Sequence, residues 1–69
     1  MTIELTNASN IEYPAEAIMK AIDETIIAKA NERGLDHITA EIIEVAGNEA
    51  TVDLYQRFEG CFETIKVIA

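Results

Sequence analysis

PAEAIMKAIDETIIAKANERG, residues 14–34, decides how the rest of the chain must be arranged. Pro14 suits a first helical position, because its missing N–H is one of those a helix start leaves unbonded. Glu16 stands near the positive end of the helix dipole, and Gly34 can adopt the left-handed conformation that closes a helix. At about 100° per residue, Ala15, Ile18, Met19, Ile22, Ile26 and Ala30 fall on one stripe. Lys20, Asp23, Glu24, Asn31 and Glu32 lie away from it. The spacing predicts one amphipathic helix from Pro14 to about Arg33, and a single apolar stripe has to be laid on another layer of structure.

The flanking sequence supplies that layer as strands. Thr2-Ile3-Glu4-Leu5-Thr6 alternates apolar and polar side chains at period two. Downstream, Ile38–Ala46, Ala50–Phe58 and Cys61–Ala69 are rich in Ile, Val, Thr, Phe and Tyr and are separated by turns containing Gly47 and Gly60. These read as a three-stranded antiparallel meander. A two-residue Glu59-Gly60 turn would set Leu54 opposite Ile65, Val52 opposite Val67, Phe58 opposite Cys61 and Asp53 opposite Lys66. For the first hairpin, a three-residue loop Gly47-Asn48-Glu49 would match Ile42 with Leu54. A two-residue Gly47-Asn48 turn would instead bring Glu41 opposite Leu54, so the three-residue loop is expected, although a bulge near Ile42-Ile43 would blur this register. The first strand joins an edge, parallel to either the second or the fourth strand.

The expected fold class is therefore α+β, a two-layer β-α-β-β-β sandwich formed by residues 1–69 as a single domain, with one helix on a small, mainly antiparallel four-stranded sheet. Its core is the helix stripe with Ile3, Leu5, Ile38, Ile42, Val52, Leu54, Phe58, Ile65 and Val67. One helix covers one face of the sheet. The opposite face is expected to carry Thr39, Glu41, Ile43, Val45, Thr51, Asp53, Tyr55, Arg57, Phe62, Thr64, Lys66 and Ile68. On it, Ile43, Val45, Tyr55, Phe62 and Ile68 would form an apolar patch of the kind that marks an interface.

Composition narrows the chemistry. Thirteen acidic against five basic side chains give 69 residues a net charge of −8, with 49% apolar residues. That apolar fraction argues for a folded chain. No apolar run approaches the roughly 18 residues needed to span a bilayer and no leader pattern is present, so an intracellular, cytoplasmic protein is expected. The negative charge opposes direct contact with nucleic acid or an anionic membrane and favours a basic partner. Ser9, His37 and Cys61 are each the only residue of their type, which leaves little from which to build a nucleophile and base. No phosphate-cradling glycine motif and no metal-ligand spacing occurs, so no enzyme activity, cofactor or metal is expected.

These features converge on a small acidic, non-enzymatic protein-binding module that occupies a basic, nucleic-acid-binding site on a larger protein. Such inhibitors include the anti-restriction and anti-CRISPR proteins encoded by phages. The expected contact residues are Glu44, Glu49, Glu59 and Glu63 at the rim, with Tyr55, Arg57, Phe62 and Ile43 on the open face. The alternative is a homodimer or larger homo-oligomer built through that face, enclosing a small-ligand site.

Overall fold

The computed structural model describes residues 2–8, 11, 14–56 and 60–69. Its elements run β1 (Thr2–Asn7), α1 (Glu16–Arg33), β2 (His37–Ala46), β3 (Glu49–Gln56) and β4 (Gly60–Ile68). The strands form one sheet in the order β1-β2-β3-β4, with β1 parallel to β2 and the remaining pairs antiparallel. This is the expected α+β arrangement, and it places β1 beside β2 rather than β4.

Helix α1 starts two residues later than Pro14 suggests, because Ala15 is extended (ψ 154°) and serves as the cap without a side-chain hydrogen bond. Its end is closed by Gly34 at φ 69°. The Gly34 N–H donates to Asn31 O at 3.2 Å and the Leu35 N–H to Ala30 O at 2.9 Å, so two otherwise unpaired carbonyls are satisfied. Leu35 then packs against the core beside the turn it closes.

Ile18, Ile22, Ile26 and Ala30 bury the helix stripe, whereas Ala15 is exposed. They meet Ile38, Ala40 and Ile42 of β2, Ala50, Val52 and Leu54 of β3, and Ile65 and Val67 of β4. Each buried Ile, Leu or Val removes enough apolar surface from water to contribute about 1.5–3 kcal/mol before entropy is set against it. Ile3 and Leu5 are only half-buried, because α1 lies over β2, β3 and, most closely, β4. Phe58 lies outside the described residues.

The strand registers depart from the sequence expectation in a consistent way. Ala46 pairs with Glu49, so the first hairpin turns through Gly47 and Asn48 alone, with Gly47 at φ 63°. This two-residue turn keeps the apolar faces aligned because Ile43 is an extra, bulged residue: Ile42 pairs with Val52 and Glu44 with Thr51. Ala40, not Ile42 or Glu41, then faces Leu54. In the second hairpin Gln56 pairs with Gly60, so the connection is longer than Glu59-Gly60. Val52 faces Ile65, Ala50 faces Val67 and Leu54 faces Glu63. A second bulge follows at Phe62, where Tyr55 pairs with Cys61.

Candidate functional site

A bulge reverses the side-chain alternation beyond it, and the two bulges redraw the face opposite the helix. Val45, past the first, turns inward opposite Ala50 and packs against the core. Phe62, at the second, also packs against the core, and Arg33 at the end of α1 stacks on its ring with Cζ 4.3 Å from the centroid. Cys61 points the other way, exposed and opposite Tyr55, with Sγ 3.7 Å from Glu63 O. The expected apolar patch is thereby broken up. Tyr55 stays on the open face while Phe62 leaves it, and Ile43 and Ile68 are exposed at 37% and 66%.

The open face is instead a polar lattice. Crossing from β1 to β4, one row reads Glu4, Thr39, Tyr55 and Cys61, and the next Thr6, Glu41, Asp53 and Thr64. Beyond them come Glu44, Thr51 and Lys66, then Ala46, Glu49 and Ile68. Neighbouring strands are about 4.8 Å apart, so side chains in a row are direct neighbours. Glu41 and Asp53 are thus two carboxylates set directly opposite each other, an arrangement that weakens a strand pair.

Hydrogen bonds hold parts of this lattice in place. The Thr64 hydroxyl donates to Asp53 Oδ1 at 2.6 Å, and the Thr39 hydroxyl lies 3.5 Å from Glu4 Oε2. His37 Nε2 is 3.8 Å from the same Glu4 oxygen. Desolvation against its neighbours raises the pKa of the Tyr55 hydroxyl, and the charges of Asp53 and Glu41 raise it further. The carboxylates of Glu4, Glu41, Glu44, Glu49 and Asp53 share the face with one ammonium among the described residues, that of Lys66. Lys66 lies 3.6 Å from Glu49, not opposite Asp53 as the sequence pattern suggests.

The predicted contact residues are therefore divided. Glu44, Glu49, Tyr55 and Ile43 belong to the open face. Glu63 does not: it lies on the helix side and accepts from Lys29 Nζ at 2.8 Å, with Arg33 Nη2 at 3.9 Å. That contact is the main cause raising the pKa of Lys29. Arg57 and Glu59 lie outside the described residues. Glu41 and Asp53, absent from the contact residues expected from sequence, stand at the middle of the face on β2 and β3, with Glu4 beside them on the edge strand β1. Their parity with Thr39 and Tyr55 was the available signal. The outward face of α1 is acidic as well, with Glu16, Asp23, Glu24 and Glu32 exposed beside Lys20.

Among the described residues no three His, Cys, Asp or Glu side chains converge to hold a metal ion, and no helix is long and apolar enough to cross a membrane. His37 on β2 and Cys61 on β4 are separated by β3. No protein-family model matches the chain. A search of curated proteins gives no significant match.

Proposed function

We propose that the chain is a non-enzymatic binding module that sets its uncovered acidic sheet face against a basic site on a larger protein. The observation that supports this reading is the Glu41–Asp53 pair, flanked by Glu4, Glu44 and Glu49 on a face that no other element among the described residues covers. A fold concerned only with stability gains by placing opposite charges there. Fixed carboxylates on a sheet complement a surface built to hold phosphates, and long-range attraction between them speeds association. Occupying such a site blocks nucleic acid from it, which is how small acidic inhibitors of defence systems act. Self-association through the same face is disfavoured, because it sets carboxylates against carboxylates.

Affinity capture from the native host, with mass spectrometry of what is retained, tests the proposal. The wild-type chain is expected to retain a basic protein with an affinity that falls steeply as salt is raised. The combined reversal Glu41→Lys, Glu44→Lys, Asp53→Lys is expected to lose it while keeping a folded circular-dichroism spectrum. Equal capture by the folded variant overturns the assignment to this face.

A further inference from the structure

We infer that β1 is a pairing edge for a second copy of this chain, joining two four-stranded sheets into one through antiparallel β1–β1′ contact. The backbone defines which groups are available. The Thr2 N–H bonds Asp36 O at 2.8 Å and the Ala8 N–H bonds Ile42 O at 2.9 Å, so the even-numbered residues of β1 direct their backbone groups at β2. In a strand the next residue points the opposite way, which turns the N–H and C=O of Ile3, Leu5 and Asn7 outward along the sheet edge. Nothing on this strand blocks them: it carries no Lys, no Pro and no bulge. The other edge, β4, has both Lys66 and the bulge at Phe62, devices that discourage strand addition.

The side chains make the same argument independently. Ile3 and Leu5 face the helix side yet are only half-buried, because α1 is displaced toward β4. A second copy related by a two-fold axis normal to the sheet brings its own Ile3 and Leu5 against them and extends the apolar layer across the junction. A core of this size gains from such an addition, since chains below about 70–80 residues commonly need one. Charge and hydrogen bonding select the register. Centring the axis on Glu4 opposes Glu4 with its own copy. Centring it on Leu5 pairs Leu5 with Leu5′, Ile3 with Asn7′ and Glu4 with Thr6′, leaves no like charges opposed, and lets all the outward groups of Ile3, Leu5 and Asn7 bond across the edge.

The test combines sedimentation over a concentration series with residue-resolved amide exchange on the intact chain. The expected result is a monomer–dimer equilibrium in which the amides of Ile3, Leu5 and Asn7 become protected as concentration rises. Thr6 is exposed, so its variants leave the core intact. Thr6→Lys places a cation opposite Glu4′ twice and is expected to tighten the dimer roughly 2- to 30-fold, whereas Thr6→Glu loosens it by a similar factor. Because both copies are acidic, the dimer strengthens with added salt, opposite in sign to the proposed partner binding, so the two can fail separately. A monomer at millimolar concentration overturns the inference. So does a dimer whose outward β1 amides stay unprotected and whose affinity ignores both Thr6 variants.

Discussion

The carboxylate of Glu63 on β4 meets the ammonium of Lys29 on α1 at 2.8 Å, tying the last strand to the last turns of the helix. Leu54 pairs with Glu63, so this acid occupies a helix-side position in the row that elsewhere holds Ile65 and Val67. Both side chains keep about a third of their surface in water, 29% and 30%, so the pair is worth little despite its short distance. Glu63→Gln is expected to lower the urea midpoint only slightly. NMR titration is expected to show the Lys29 pKa falling back toward its ordinary value. A Lys29 pKa unmoved by the substitution contradicts the contact.

Alkaline pH tests the same contact together with the open face. Lys29 and Tyr55 both hold their protons to higher pH in the folded chain than at their ordinary values of 10.5 and 10.0. Between each ordinary value and the raised one, the unfolded chain binds fewer protons than the folded chain. The stabilisation is therefore complete below pH 10 and is lost as pH climbs through the raised values. Urea midpoints measured across roughly pH 9–11 are expected to fall, and less steeply in Glu63→Gln and Tyr55→Phe. Midpoints that rise over that range would refute both assignments.

The elements were legible in the sequence because each rests on local signals: the 3.6-residue stripe of α1, Gly34 at its end and period-two alternation in the strands. The faces beyond the bulges were not. A bulge is chosen by the fit of the whole sheet, and one extra residue exchanges inside for outside in everything past it. Ile43 does this to Val45, and Phe62 does it to itself and to Cys61. The strand next to β1 was equally hidden, since pairing at either edge of the meander satisfies its hydrogen bonds. From sequence, Tyr55 and Ile43 fall correctly on the open face but Val45 and Phe62 wrongly so, and of the rim acids Glu44, Glu49 and Glu63 the last lies on the helix side.

Gly34 is where a local signal and the structure agree most closely, and it yields a sharp expectation. Its φ of 69° lies in the left-handed region, with open space where a Cβ would be added. Gly34→Ala thus introduces no clash with neighbouring atoms, only the backbone penalty of about 1–2 kcal/mol. Chemical denaturation is expected to show that loss with no change in the far-ultraviolet spectrum. An unchanged midpoint would mean the helix does not end in the closed motif.

Two pairs of adjacent isoleucines allow the packing to be read residue by residue. Ile26 and Ile42 are fully buried, while their neighbours Ile27 and Ile43 are 41% and 37% exposed. Ile26→Ala and Ile42→Ala are each expected to cost about 2–5 kcal/mol, enough to unfold much of a small protein at 25 °C. Ile27→Ala and Ile43→Ala are expected to stay much nearer the wild type, within about 1 kcal/mol. If Ile43→Ala proved the more damaging member of its pair, the bulge would be misplaced by one residue.

Glu41 and Asp53 separate stability from binding, because the two demands pull in opposite directions at that position. Opposed carboxylates weaken the β2–β3 pair, so Glu41→Lys replaces a repulsion with an attraction and is expected to raise stability by about 0.2–1 kcal/mol. If the carboxylates exist to meet a basic partner, the same substitution weakens that complex and flattens its salt dependence. A more stable chain that binds less well is the combination that points to selection for contact. A variant that gains stability and keeps its partner shows the pair to be incidental to binding. One that loses stability shows that Glu41 is supported by something other than its position opposite Asp53.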